Sequence, residues 1–438
     1  MENSLKNNDK ILFLALNTWK NDSNNIFDYS SSTIKTIKAY ITHPTYVVKT
    51  KNDFFINIEQ HADIQNKDGD ELIFHVKHDI NNIYNLANPI PNNLKLKENN
   101  FDYLNNKIWY ILKTIDLENH DSKPNSNEEY YLNENDIIKI GKVKYAVQKI
   151  HLLGGGRKNN YQNPPMIPVI ESQYRISDLN KNLKPVFEFI FQVKDFNDPL
   201  KINQENHDLN ETILFDKYQC KYCKNNNIYE DNYNDKNYLI KVCECKDLVH
   251  FKCLKNHLKT LRKKNNENIT KYDEVLSFRN FQCSKCKNQY PIKFKLPNNN
   301  KVFNLIDIKE PTDCNYMILE SIDYKQNGNY SKSIHIIKFL KKKGEPFTIG
   351  SNNDNDIIDK DVAISSYHAI LRFNDWNGQI CIQNWNSVFG TSILIRKSFT
   401  ILDKKIYLQV GKTYIEANLM KRKDYFEEIN NCKVIILN

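Results

Sequence analysis

Seven of the chain's ten cysteines fall between residues 220 and 286, and a histidine stands among them at ligand spacing. The order is Cys220-x2-Cys223, nineteen residues, Cys243-x-Cys245, four residues, His250-x2-Cys253, twenty-nine residues, Cys283-x2-Cys286. A two-residue spacer lets both side chains of one turn point at one ion, and a tetrahedral zinc takes two such pairs. Eight donors in four pairs therefore predict two zinc ions, each closed by four protein ligands. Closed sites leave no position for a reactive water; they hold structure and contribute folding energy. Cys314, Cys381 and Cys432 stand singly in strand-like contexts, as small buried hydrophobes do.

This ligand order resembles the RING-CH (RING-variant) finger of ubiquitin ligases, and it also occurs in PHD fingers, which read histone tails. In both families the pairs interleave. The resemblance implies that Cys220, Cys223, His250 and Cys253 share one ion and that Cys243, Cys245, Cys283 and Cys286 share the other. Three features favour RING-CH: the one-residue spacer between Cys243 and Cys245, the "CLKNHL" after His250, and the closing "CSKCKNQYP". Phe251, Leu254, Leu258 and Leu261 recur at helical spacing on one face. By the same resemblance Tyr222, Leu254 and His257 would meet a ubiquitin-conjugating enzyme. His257 stands where that family carries tryptophan, and the loop from Cys245 to His250 is shorter than the family's.

Toward the C-terminus, "FTIGSNNDNDIIDKDVAISSYHAILRF" (347–373) is followed by "NSVFGTSILI" (386–395). The alternation in "YHAILRF" and "QICIQNW" predicts short strands. The motifs resemble the forkhead-associated (FHA) domain, a β-sandwich that docks phosphothreonine peptides on its loops. Gly350, Ser365, His368, Ser387, Gly390 and Thr391 match that family's pattern. The family's phosphate-binding arginine is Ser351 here, its next basic residue is Ser366, and its peptide-binding asparagine is Phe389. A serine hydroxyl offers one donor where a guanidinium offers a charged fork. The resemblance implies a phosphopeptide site at Gly350, Ser351, Ser365, Ser366 and Ser387, with His368 buttressing the loops from inside.

The elements that must position these residues are mostly strands. "LNENDIIKIGKVKYAV" (132–147) and "LDKKIYLQVGKTYIEA" (402–417) align without a gap on Gly141 and Gly411, each a strand, a Gly-Lys turn and a second strand. A repeat of this length points to a second sandwich near the N-terminus. The expected fold is mainly β and multidomain. It places a degenerate FHA-like β domain at 1–152 and an irregular linker at 153–215. A small two-zinc, cross-braced RING-CH-like α+β module follows at 216–297, then an FHA domain at 302–438. Two FHA-like β-sandwiches would thus flank the finger, as in FHA–RING-variant proteins of single-celled eukaryotes. "LLGGGRKNNYQNPPMIP" at 152–168 reads as flexible connection.

Composition sets the outer bounds. The 438 residues carry 62 Lys and Arg against 53 Asp and Glu, a formal charge of +9. Lysine is spread along the whole chain, without the clustered footprint of a nucleic-acid groove, so no nucleic acid is expected. "ILFLAL" is too short for a secretory core, and no apolar run approaches the roughly 20 residues that span a bilayer. A soluble protein of the cytoplasm or nucleus is expected. No P-loop, no Gly-x-Ser-x-Gly elbow and no His-Glu-x-x-His occurs. The chain carries no catalytic constellation of its own, which a RING-type ligase does not need. The expected function is a RING-CH-type ubiquitin ligase or ligase-like scaffold. Its finger would recruit a conjugating enzyme, and its FHA domains a protein substrate, including phosphothreonine proteins. A non-enzymatic interaction scaffold and a PHD-like histone reader are the alternatives.

Overall fold

A computed structural model describes residues 10–19, 34–49, 54–57, 71–78, 83–87, 104, 107–112, 129–153, 190–192, 219–225, 239–240, 242–243, 245, 247–262, 271–295, 302–322, 325–326, 329–341, 345–374, 378–385, 387–395, 399–401, 405–421 and 424. In the N-terminal part β1 is Lys10–Trp19, β2 Ile34–Ile41, β3 Thr45–Lys49, β4 Phe54–Asn57 and β5 Glu71–His78. There follow β6 Tyr84–Ala87, β7 Trp109–Ile111, β8 Tyr130–Tyr131, β9 Ile137–Ile140 and β10 Val143–His151. The middle holds β11 Ile190–Gln192, β12 Leu239–Ile240, β13 Val249–His250, helix α1 Phe251–Leu261, β14 Asp273–Phe278, β15 Lys293–Lys295 and β16 Val302–Asn304. Next come β17 Tyr316–Ile322, β18 Lys325–Gln326, β19 Asn329–Tyr330, β20 Lys332–Lys338, β21 Phe347–Gly350, β22 Ile357–Ile358 and β23 Ala369–Asn374. The chain closes with β24 Gln379–Asn384, β25 Thr391–Leu394, β26 Phe399–Thr400, β27 Ile406–Val410 and β28 Thr413–Lys421.

Short runs rich in Ile, Val, Tyr and Phe make these segments strands, and they pair in an unexpected order. The long sheet runs β14-β20-β17-β10-β9-β25-β7-β27-β28-β1-β2. Without β14 it is a palindrome about the β25–β7 ladder. By position β17 answers to β1, β20 to β2, β10 to β28 and β9 to β27. The two five-stranded sheets repeat the relation, β22-β21-β23-β24-β8 against β4-β3-β5-β6-β26. There are two sandwiches, and each takes its last three strands from the opposite end of the chain.

Hairpin β9–β10 joins the C-terminal sandwich, with Val147 opposite Leu319 on β17 and Tyr131 of β8 opposite Cys381. Hairpin β27–β28 joins the N-terminal one, with Ile415 opposite Leu16 on β1. At the pseudo-twofold axis Tyr110 faces Ile393. The equivalent residues Lys139 and Gln409 meet there, the amine donating to the amide oxygen at 2.5 Å. One apolar core runs through both sandwiches, from Leu12, Val47 and Phe74 to Val147, Leu371 and Ile382.

This corrects the expected division into separate units at 1–152 and 302–438. The echo at 132–147 and 402–417 does mark two equivalent hairpins. Each returns to the first strand of the other half, because β1 and β17 offer interchangeable apolar edges and local pattern does not choose between them. Gly141 turns β9 into β10 at φ 60°, and a Cβ there would lie 2.2 Å from the carbonyl oxygen of Ala363. The exchanged hairpin thus sits against the loop that follows β22.

The finger region is built onto the C-terminal sandwich. β14 pairs antiparallel with β20 along six residues, Asp273↔Ile337 to Phe278↔Lys332. Leu254, Leu258, Phe278, Phe281 and Tyr290 share a buried cluster with Tyr316, Ile318 and Ile334. At this seam His335 Nδ1 lies 2.8 Å from Asp273 Oδ2, both side chains buried. Burial alone would push the imidazole down; the charge and hydrogen bond of Asp273, with Asp359 beyond, hold it above its usual range. Of the linker expected at 153–215, the described part beyond Leu153 is β11, which pairs in parallel with β15. The Gly-rich 154–168 lies outside the described residues.

Candidate metal centres and peptide-binding loops

Two short turns carry the outer cysteine pairs, and they share one geometry. In the first, Cys220 N donates to Asn225 O at 3.0 Å and Lys224 N to Cys220 O at 2.9 Å. In the second, Cys283 N donates to Asn288 O at 2.8 Å and Lys287 N to Cys283 O at 3.0 Å. Lys224 and Lys287 both take positive φ, 60° and 61°, to close the turn. Each turn aims two sulfurs at the stretch from Cys243 to Cys253, where β13 and α1 place His250 and Cys253, and the bends before β13 carry Cys243 and Cys245.

The eight donors fall into two groups of four, Cys220, Cys223, His250 and Cys253, and Cys243, Cys245, Cys283 and Cys286. Within each group the ligand atoms lie within 4.8 Å of one another. His250 Nδ1 is 3.2 Å from Cys223 Sγ and 4.0 Å from Cys253 Sγ; Cys245 and Cys283 sulfurs are 3.9 Å apart. Sulfurs on a tetrahedral zinc stand about 3.8 Å apart, given bonds of about 2.3 Å, so the donor set fits that ion. Burial opposes charge on Cys283, yet the amides of Cys286 and Lys285 pull its thiol down to about 7. Cys220 is lowered likewise against burial, by the amides of Cys223, His250 and Tyr222. Cys314 and Cys381 are buried, as expected; Cys432 lies outside the described residues.

Helix α1 buries Leu254 and Leu258 and leans Phe251 and Leu261 against the same cluster. Leu254 is wholly buried, which corrects its expected place on a docking surface. The other two expected contacts do meet. His257 stacks on Tyr222 at 4.7 Å, Tyr290 stands edge-on to His257 at 6.4 Å, and the two tyrosine hydroxyls are 3.4 Å apart. His257 belongs to neither metal group.

At the other site three loops converge on Ser365. Its N–H donates to His368 Nδ1 at 3.1 Å, its carbonyl accepts Ser351 N at 3.0 Å, and its hydroxyl accepts Val388 N at 3.1 Å. A hydroxyl that accepts one bond keeps its own proton to donate. His368 is buried, with Nε2 3.1 Å from Gly390 O, so it ties two loops together as a neutral imidazole. Asn355 adds a second tie, giving its amide to Asn352 O at 2.9 Å and Ser366 O at 2.6 Å. Gly350 is buried against Ser366, whose carbonyl a Cβ would meet at 2.1 Å.

Ser351, Ser365 and Ser366 therefore lie on the crest, while Gly350 shapes it from beneath. Ser387 is buried and donates to Asn384 Oδ1 at 2.5 Å, and Thr391 donates to the same oxygen at 3.2 Å. Ser387 is thus a support, which corrects its expected place at the peptide. Around the crest Val362, Tyr367 and Val388 are exposed. Motif reading passed over three residues that hold these loops: Tyr145, Asp359 and Lys360. The Tyr145 hydroxyl donates to Asp359 from the exchanged hairpin, and Lys360 Nζ reaches Ser351 O at 2.7 Å. No motif marks them: the Tyr145–Asp359 contact forms only once the opposite end of the chain has packed here, and Lys360 lies outside the positions the motif names.

Residues 347–413 match the FHA domain family, so the chain carries an FHA domain there. In space that stretch divides: β21 to β25 lie in the C-terminal sandwich, whereas β26 and β27, with the first residue of β28, belong to the other. No curated protein and no solved structure matches the chain significantly. No helix among the described residues is long and apolar enough to cross a membrane.

Proposed function

We propose that this chain is a phosphothreonine-directed protein-interaction scaffold, with zinc in both cysteine clusters. The carrying observation is the FHA match at 347–413 together with Ser365, which sits half-buried on a pinned loop with its hydroxyl accepting from Val388 N. Zinc would be held by the two groups of four donors and would fix the inner stretch 243–253 between the two turns. FHA domains bind phosphothreonine proteins, and these loops keep that family's serine while lacking its arginine. A phosphothreonine peptide pool, degenerate around the phosphoresidue, is expected to be retained by the full chain and released when dephosphorylated. Ser365→Ala removes one hydrogen bond to a charged group, worth about 1.5–3 kcal/mol, and should weaken binding at least about tenfold. Equal retention of dephosphorylated peptides would remove this reading.

A second reading is favoured by the half-buried stack of His257 on Tyr222, backed by the buried ring of Tyr290. The helix that follows His250 sets the half-buried His257 beside the turn that carries Tyr222, and that juxtaposition supports this reading. On this reading the chain is a RING-CH-type ubiquitin ligase that positions a charged partner and performs no covalent chemistry itself. Autoubiquitination over a panel of conjugating enzymes tests it, with transfer lost in Tyr222→Ala. No transfer by the wild type or by His257→Trp would leave the scaffold alone.

A further inference from the structure

The loops around Ser365 lack the arginine that would neutralise a phosphate, so another cation must do so if the phosphothreonine reading holds. Between residues 345 and 374 Lys360 and Arg372 are the only lysine or arginine, and His368 is buried between the loops. Arg372 lies within β23 opposite Cys381 on β24, three residues beyond the Ala369 end that faces the loops. Lys360 is exposed, and its Nζ sits 2.7 Å from the carbonyl oxygen of Ser351 and 2.5 Å from Asn353 Oδ1. Ser351 is itself bonded to Ser365 through its N–H. The ammonium is therefore held at the place where the arginine is missing, on neutral acceptors, with no acidic partner among the described residues.

The carboxylates beside it are turned into the loop. Asp359 accepts from the Tyr145 hydroxyl and from Asp361 N, while Asp361 accepts from Ala363 N at 2.9 Å. Asp359 N donates to Gly350 O at 3.1 Å, which clamps the residue before Lys360 to the end of β21. Two of these supports belong to the opposite end of the chain: Tyr145, and Gly141 packed under Ala363.

We propose that Lys360 is the phosphate-binding cation of this site, aimed by Asp359 and the Tyr145 of the exchanged hairpin. This rests on the phosphothreonine reading above. An ammonium has three donors, so Nζ can keep a loop contact and still give a charge-assisted bond to a phosphate oxygen. It is a point charge where arginine would be a fork, so the site tolerates more ways of presenting the phosphate.

The test measures binding of a phosphothreonine peptide pool to the full-length chain and its variants by fluorescence anisotropy, at two salt concentrations. Lys360→Gln is expected to bind about tenfold more weakly with a shallower salt dependence and unchanged melting, and Lys360→Arg to retain binding. Tyr145→Phe should weaken binding less. If wild type and Lys360→Gln bind alike, Lys360 is not the cation and the phosphothreonine reading stands. If Ser351→Arg binds and the wild type does not, the lysine does not replace the arginine and the assignment fails. If neither binds, the phosphothreonine reading fails and this inference with it.

Discussion

Cys283→Ser is expected to loosen the C-terminal sandwich as well as empty one metal centre. Cys283 follows β14 by five residues, and β14 is the outermost strand of the long sheet, laddered to β20. Phe281 and Gln282 between them are tied to the sandwich. Phe281 N donates to Tyr330 O at 2.7 Å, and the Gln282 amide bonds Tyr330 N and Asn329 at 2.9 and 2.7 Å. Phe278, Phe281 and Tyr290 pack in the same cluster as Ile318 and Ile334. Structural zinc contributes roughly 10–16 kcal/mol of apparent binding energy in small fingers, so a lost ligand removes several kcal/mol of folding energy. Here that energy cannot stay local.

The expected result is one zinc per chain instead of two, and a melting temperature lower by about 10 °C. Amide exchange should accelerate in β14 and β20, while β1 and β2, at the far edge of the sheet, change least. Chelation of the wild type should do the same to both clusters. Unchanged protection of residues 332–338 after metal loss would show that the finger and the sandwich fold independently, and would sink this coupling.

The chain shows which kinds of structure a sequence states openly. Metal chemistry is local: Cys-x2-Cys fits one turn around one ion, and its spacing can be read directly. The interleaving of the pairs came only through resemblance, and RING-CH and PHD fingers share it, so the geometry does not separate those two. Short strands and Gly-Lys hairpins are also local, and Gly141 and Gly411 both turn at positive φ. What stays hidden is long-range partner choice. Val147 meets Leu319, and Ile415 meets Leu16, across separations that no periodicity encodes. Two near-equivalent hairpins facing two near-equivalent edge strands have two solutions, and the sequence pattern satisfies both. The same blindness hid the contact of Tyr145 with Asp359, which needs strands from opposite ends of the chain to be in place; Lys360 was hidden for a local reason, standing outside the motif positions.

That choice has a direct consequence for a cut chain. Residues 1–152 contain β1 to β7 of one sandwich and β8 to β10 of the other. Expressed alone, this piece lacks the β28 ladder on β1, which runs from Lys10↔Lys421 to Thr18↔Thr413. Its own hairpin would lose β17, and Leu12, Leu14, Tyr145 and Val147 would lose partners they bury against. An open apolar edge of that length aggregates or recruits another strand. Residues 216–438 alone suffer the mirror defect. Co-expressed, the two pieces should fold into a soluble one-to-one complex that withstands size-exclusion chromatography, because ladders β1–β28, β10–β17 and β25–β7 all cross the cut. The complex should also carry the Tyr145–Asp359 bond, so Tyr145→Phe in the N-terminal piece should weaken peptide binding at the C-terminal loops. A stable, monomeric 1–152 with its own hairpin paired to β1 would mean that each half closes on itself. The exchanged arrangement would then be wrong. The two outcomes differ in mass by the whole of the second piece, so a single sizing run decides between them.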